Sequence, residues 1–194
     1  PICVTTGNQE NRKWIQKKFP KTKFSTNINS ILSDNNIDAV VIATPISTHY
    51  TLIKKSLESG KHVFVEKPMT QTVTQANNLI KIAKKKKLSL FVGHVFLHHQ
   101  IFKKIQKIHE REFIVNMNSE WKKFGTFNEN IFENLLTHEL SINLTLFGEP
   151  KRITLINESS FITNTDSFNL ELFYEKNKRS HISIDRIANY KKNL

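Results

Sequence analysis

DAVVIATPISTHYTLIKKSLESGKHVFVEKPM, Asp38 to Met69, is the stretch whose reading decides the fold. DAVVIAT is a nearly continuous apolar run of strand length, the pattern of a parallel strand covered on both faces. Pro45 ends it, Ser47 stands where the N-cap of a helix is expected, and Gly60 sits just past the end of HYTLIKKSLESG. HVFVEK then reads as the next strand, and it stops on an acid, a base and a proline: Glu66, Lys67 and Pro68. Proline cannot donate to a sheet and pushes the residue before it into an extended conformation. Each strand therefore hands a polar side chain, Thr44 or Lys67, to the rim of a sheet, where ligands of open parallel sheets bind. On pattern alone, Glu66 and Lys67 read equally well as ordinary loop charges.

Outward from this stretch the first half alternates. ICVTT is a short apolar run, and NRKWIQKKF carries Trp14, Ile15 and Phe19 at helical spacing. Asn27 opens a short helix, TVTQANNLIKIAKKKK reads as a longer one, and LSLFVGH as a strand. Strands and helices alternating with crossovers of this length predict a parallel sheet with helices on both sides. After His94 the rhythm changes. VFLHHQIFKKIQKIH predicts one helix with Phe96, Ile101, Ile105 and Ile108 on a single side. REFIVNMNSEW alternates like a strand with one wet face, and ENIFENLLTHELSINLTLFG predicts a long helix ended by Gly148 and Pro150. KRITLINES, FNLELFYE and SHISIDRI read as antiparallel strands, the last two joined by the turn KNKR. The fold class is thus α/β: a Rossmann-like parallel sheet over residues 1–95, then an α+β domain with an open, mainly antiparallel sheet over 96–194.

The 194 residues, 38% of them hydrophobic, suffice to bury a core. No apolar run approaches the roughly 18 residues of a membrane span. The one cysteine, Cys3, excludes an internal disulfide and suits a cytoplasmic protein. The net charge of +12 comes from lysines scattered along helix faces without interleaved aromatics. That argues for solvated surfaces and against nucleic acid as the partner. Lys84 to Lys87 are expected at a solvated helix end, where positive charge complements the dipole.

Ala43-Thr44-Pro45, the pair Thr48-His49, Gly60-Lys61-His62 and Glu66-Lys67-Pro68 together resemble the glucose–fructose oxidoreductase, inositol dehydrogenase and MocA (Gfo/Idh/MocA) family. The resemblance continues through LSLFVGHVFLHH and the segment from Trp121 to Pro150. It implies a Rossmann domain binding NAD or NADP, followed by a substrate domain, and hydride transfer to or from a secondary alcohol of a sugar, nucleotide sugar or polyol. By the same resemblance Lys67 and His138 are the catalytic pair, converging on one cavity. Thr44, Pro45, His49, Glu66 and Lys67 are the cofactor-binding residues. His94, His99, Trp121, Asn134 and His138 face the substrate, and a cis peptide precedes Pro68. The segment His-Glu-Leu-Ser at 138–141 leans towards nucleotide sugars. A homo-oligomer formed through the open face of the second sheet is a further implication. His94 and His98 stand at a spacing that can bind zinc, but no nearby carboxylate or cysteine completes a site, so no metal is expected.

Three departures temper the enzyme reading. No GxGxxG turn occurs, and no strand precedes ICVTT. The acidic residue that the family uses to hold the adenosine ribose is replaced by Gly7. Where the family has an aspartate at i−4 from its histidine, this chain has Asn134, an amide that can hydrogen-bond but adds no charge. The chain is expected to be truncated at both ends, to bind dinucleotide weakly or not at all by itself, or to serve as a non-catalytic binding or assembly module.

Overall fold

The computed structural model describes residues 2–4, 8–25, 27–112, 114–188 and 191–193. Gly7 lies outside them, so the ribose departure is not addressed by the structure. The chain divides into two units, Pro1–Gly93 and His94–Leu194.

In the first unit, β1 (Ile2–Val4) leads to α1 (Gln9–Lys18) and to β2 (Lys23–Ser25), which pairs parallel with β1. Asn8 caps α1 through its side-chain oxygen, which accepts from the N–H groups of Glu10 and Asn11. Of the apolar residues at helical spacing, Ile15 is half-buried, whereas Trp14 and Phe19, the latter just past the end of α1, are 59% and 58% exposed. After α2 (Ile28–Leu32), capped by Asn27, come β3 (Ala39–Ile42), α3 (Ile46–Glu58), β4 (His62–Glu66), α4 (Val73–Lys86) and β5 (Leu90–Gly93). The last three strands form a parallel sheet in the order β3-β4-β5.

The strands are parallel as expected, and one expectation, that the run at 38–44 is covered on both faces, is corrected. The parallel strands form two sheets, β1-β2 and β3-β4-β5, because no strand among the described residues joins them. Among the described residues the apolar run at 38–44 is covered on one face only. Ile42, Val63 and Val65 pack with Ile53 and Leu57 of α3 and Leu79 and Ala83 of α4. The opposite face carries the cross-strand row Val41, Phe64 and Phe91, in which Val41 is 73% exposed and the two phenyl rings stack at 5.4 Å.

Helix ends explain the spacing of the rim. Helix α3 starts at Ile46, directly after Pro45, so Ser47 lies inside the first turn and is not its cap. At the other end, Gly60 takes φ +79°. Its N–H donates to Leu57 O and that of Lys61 to Ser56 O, the two bonds of a Schellman motif. The chain is thereby turned straight into β4. Helix α4 is capped by Thr72, and Lys84 to Lys87 are exposed at its end.

In the second unit, residues 95–109 are not one helix. A 3-10 turn, Val95–His98, is separated by His99 in extended backbone from α5 (Gln100–Glu112). This break rotates the apolar face: Phe102 is buried, whereas Ile101 and Ile108 are exposed. Then follow β6 (Asn116–Lys122), a π-helical turn over Phe132–Leu136, α6 (Thr137–Phe147), β7 (Arg152–Ser159), β8 (Ser167–Phe173), β9 (Arg179–Asp185) and β10 (Lys191–Asn193). The sheet order is β10-β6-β9-β8-β7, with only β6 and β9 parallel, an open and mainly antiparallel sheet. Lys176 and Asn177, both at positive φ, make the β8–β9 turn. One face of the sheet holds the core: Trp121, Phe168, Leu170, Leu172, Ile182 and Ile184 against Ile131, Leu135 and Leu136. Among the described residues no helix is long and apolar enough to cross a membrane.

Candidate functional site

The first unit gathers the residues singled out at 43–49 and 66–68 into one rim. Strands β3 and β4 are parallel neighbours in register Ile42 to Val65, so the turns that follow them lie side by side. His49, on the first turns of α3, is 1% exposed and ties these turns together. Its Nε2 lies 2.8 Å from the carbonyl oxygen of Thr44, and its Nδ1 lies 2.9 Å from that of Pro68. Both ring nitrogens are thus engaged by backbone. Thr48 Oγ1 donates to Pro45 O at 2.8 Å and lies 2.6 Å from Thr44 Oγ1. With the Thr48 proton committed to the carbonyl, Thr44 is the donor of the short hydroxyl pair and keeps its lone pairs as acceptors. Glu66 and Lys67 are half-buried, and the Lys67–Pro68 peptide is cis. A Cβ placed on Gly93 would meet the Phe64 ring at 3.1 Å and Glu66 Oε2 at 3.3 Å, so this glycine keeps the space that the Glu66 carboxylate occupies.

The second unit brings together two of the singled-out residues, Trp121 and His138. Strand β6 alternates, and Trp121 falls on its buried face with Ser119. The Trp121 and His138 rings are stacked at 5.2 Å with 30° between their planes. Phe96 meets both edge-on, at 5.6 Å from Trp121 and 4.9 Å from His138. The aromatic spacing in the sequence placed Phe96 on a helix face and gave no sign of this role. His94 is half-buried at the start of the 3-10 turn, whereas His98 and His99 are exposed. Among the described residues no cluster of three or more His, Cys, Asp or Glu side chains is placed to hold a metal.

His138 stands at the second residue of α6, immediately after the π-helical turn. In that turn the Thr137 N–H bonds back to Phe132 O, five residues away. The Thr137 hydroxyl donates to Glu133 O at 2.8 Å, supplying that carbonyl with a partner. Half-buried Asn134 lies within the widened turn, so it does not have the regular one-turn relation to His138 that the i−4 spacing assumed.

A further group was not foreseen. Asp166 and Arg186, 0% and 3% exposed, form an ion pair with Nε 3.1 Å from Oδ1. Asp166 Oδ2 accepts from the N–H groups of Phe161, Ile162 and Thr163, and Oδ1 from the Thr163 hydroxyl. Burial pushes this carboxyl up, but the Thr163 hydroxyl and the three N–H groups outweigh it and hold Asp166 well below the usual carboxylate range. Arg186 also donates to the carbonyls of Thr126, Glu129 and Thr165 and to the Thr163 hydroxyl. It therefore fixes the loop that leads into the His138 helix. A cavity of about 290 Å³ beside it is lined by Phe127, Asn130, Phe132 and Thr165. A 20-residue separation and a loop position left no periodicity to reveal the pair.

The likeness to known proteins agrees with this architecture. Residues 2–94 match the model of an oxidoreductase family with an NAD-binding Rossmann fold. An uncharacterized oxidoreductase of Schizosaccharomyces pombe is 31% identical over 155 residues, 73% of this chain and 42% of that protein. The scyllo-inositol 2-dehydrogenase (NADP(+)) of Bacillus subtilis is 27% identical, covering 84% of this chain and 50% of its own. The UDP-N-acetylglucosamine 3-dehydrogenase of Acidithiobacillus ferrooxidans is 28% identical, covering 67% and 42%. The chain thus spans about half the length of the curated relatives it matches. A crystal structure of an oxidoreductase from Bacillus cereus shares the fold, with a TM-score of 0.81 at 22% identity over 98% of this chain and 58% of that one. The rim motifs, the parallel sheet and these matches agree: the chain belongs to the Gfo/Idh/MocA oxidoreductase family, whose cofactor is NAD or NADP.

Proposed function

We propose that the protein takes part in NAD(P)-dependent oxidation and reduction of a secondary alcohol on a sugar, nucleotide sugar or polyol. The observation that carries this reading is the rim of the first unit, where Thr44 and Lys67 stand on adjacent turns at the carboxyl ends of β3 and β4. The residues fit the nicotinamide end of the cofactor: Thr44 offers hydroxyl lone pairs, and Pro45, Glu66 and Lys67 shape the same rim. His49 contributes by holding that rim, since its ring nitrogens are taken up by backbone oxygens. The diphosphate end has no such fit in these residues, because the five glycines stand at 7, 60, 93, 125 and 148 and none makes a GxGxxG turn.

When bound, the nicotinamide accepts or supplies the hydride. Oxidising the alcohol also releases its hydroxyl proton. His138 takes that proton as general base, a role suited to an imidazole, whose ordinary pKa of about 6.5 lies near working pH. The Lys67 ammonium favours the alkoxide as negative charge develops on the oxygen. His94, His99, Trp121 and Asn134 are the proposed substrate contacts. The sugar class rests on the relatives named for scyllo-inositol and UDP-N-acetylglucosamine. A cytoplasmic location and a homo-oligomer associating through the open face of the second sheet complete the reading.

Nicotinamide fluorescence titration, followed by turnover with inositols and UDP-sugars, tests it. Lys67→Met and His138→Asn should each lower turnover by about 10²–10⁴-fold if these residues act as assigned. Nicotinamide binding without any turnover would instead favour the second reading, a binding or assembly module. The amide at Asn134, where the resemblance implies a carboxylate, is the observation on its side.

A further inference from the structure

We propose that the cavity beside the Asp166–Arg186 pair binds one neutral polyhydroxyl ring, a monosaccharide or cyclitol, at a site separate from the Trp121–His138 group. Its volume of about 290 Å³ lies at the lower end of ligand cavities and suits a ligand of a single ring. The segment leading to the His138 helix forms one wall, with Phe127, Asn128, Asn130 and Phe132, and the β7–β8 loop forms the other, with Asn164. Trp121 and His138 are not among the residues that line it.

A buried arginine on a cavity wall suggests an anion site, but the five N–H groups of Arg186 are all spent. Nε donates to Asp166 Oδ1, Nη1 to the carbonyls of Thr126 and Glu129, and Nη2 to the Thr165 carbonyl and the Thr163 hydroxyl. Its charge is matched by Asp166, and the other ionisable side chain of the lining, exposed Glu129, has the wrong sign for an anion. The walls therefore offer no charged donor to a phosphate or carboxylate group.

What they offer is amides and phenyl rings. Asn130 Oδ1 accepts from the N–H groups of Phe132 and Glu133, which fixes the orientation of this amide and leaves its NH₂ to donate. The amides of Asn128 and Asn164 are exposed and take no hydrogen bond among the described residues, so each can both donate and accept. A hydroxyl also does both, and two neighbouring ring hydroxyls can meet the oxygen and the NH₂ of one amide together. Phe132 is stacked on Phe168 at 4.9 Å and is still 40% exposed. The negative face of a phenyl ring attracts the weakly positive C–H bonds of a sugar. The spacing of the walls is set by Arg186, which bonds to both, and by Asp166 Oδ2, which takes three consecutive N–H groups of the β7–β8 loop. Little chain then has to be ordered on binding.

Side-chain amide NMR on ¹⁵N-labelled protein tests this, with Asn128→Ala and Asn164→Ala assigning the signals. Titration with myo-inositol or methyl α-D-glucopyranoside should shift the Asn128 and Asn164 amides and saturate at about 1–10 mM, as expected for so small a ligand. Inorganic phosphate should leave them unmoved. Each alanine variant removes an exposed side chain and should weaken sugar binding by about three- to tenfold. The proposal is overturned by shifts with phosphate, by uridine binding more tightly than either sugar, or by unchanged affinity in both variants. Shifts confined to Trp121 and His138 would overturn it as well, by leaving the aromatic group as the one sugar site. No dinucleotide is used, so failure here and failure of the oxidoreductase reading are told apart by the nicotinamide titration.

Discussion

The indole of Trp121 lies stacked on the imidazole of His138, with ring centroids 5.2 Å apart. The two residues come from a strand and a helix 17 positions apart, and Phe96 closes the group edge-on. An imidazole held against an indole face, with a phenyl edge on it as well, has the plane of its ring fixed.

Trp121→Ala should destabilise the second unit by about 3–5 kcal/mol, the range for emptying a large aromatic site in a core. Trp121→Phe keeps a ring on His138 and should cost about 1 kcal/mol. Urea unfolding followed by far-ultraviolet circular dichroism measures both. Equal losses for the two variants would show that keeping a phenyl ring against His138 stabilises nothing.

Removing either member of the Asp166–Arg186 pair leaves a buried ion without its partner. Asp166→Asn and Arg186→Leu should each cost about 3–5 kcal/mol, measured by thermal unfolding. The pH dependence follows from the direction of the shift. Asp166 is held below its ordinary value in the folded state, so the stability it contributes is complete above the unfolded value of about 3.9 and is lost as pH falls towards the folded one. The acid limb of the stability profile below about pH 4 should therefore be shallower in Asp166→Asn.

Tyr174 is buried, and its hydroxyl donates to Asn143 Oδ1 at 3.2 Å. Burial pushes this phenol up to about 12. In an ultraviolet titration one of the three tyrosines should ionise late, and Tyr174→Phe should remove that step. Because the protonated form is favoured on folding, its contribution is complete below the ordinary value of about 10 and is lost as pH rises towards the folded value.

Gly93→Ala places a methyl group against the Phe64 ring and the Glu66 carboxylate. A cost of about 1 kcal/mol is expected from the crowding. Altered exchange at 64–68, compared by hydrogen-exchange mass spectrometry, would show that Glu66 has been pushed from its place. An unchanged pattern would show that the site absorbs the methyl group without displacing the acid.

How much of this was legible depends on whether the controlling signal was local. The strands around Val41, Val63 and Val92, the Gly60 helix end and the order of the rim motifs follow from apolar runs and turn residues, which act over a few positions. Ser47 misled because Pro45 already fixes the backbone dihedral from which α3 starts, leaving the cap position without a side-chain acceptor. The break at His99 and the widened turn before His138 preserve apolar spacing on either side, so a pattern of period 3.6 runs through both without registering them. The exposure of Val41 depends on what lies over the sheet, and a run of valines is the same string whether one face or two are covered. Asp166 with Arg186, and His49 with Thr44 and Pro68, are tertiary relations that no short window contains.

Among the described residues strand β7 forms one edge of the second sheet and leaves Ile153, Leu155 and Ile156 about half exposed. Apolar side chains beside unpaired backbone groups are a template on which a strand of another chain can assemble. The ladder with β8 slips between Leu155 and Asn157, so Ile156 is extra and the side chains beyond it change faces relative to a regular strand. An incoming strand could keep its alternation matched only over Arg152 to Leu155 before the pattern inverted. A one-residue irregularity of this kind works against pairing along that edge, and deleting Ile156 is expected to give a more regular ladder and a chain more prone to aggregate.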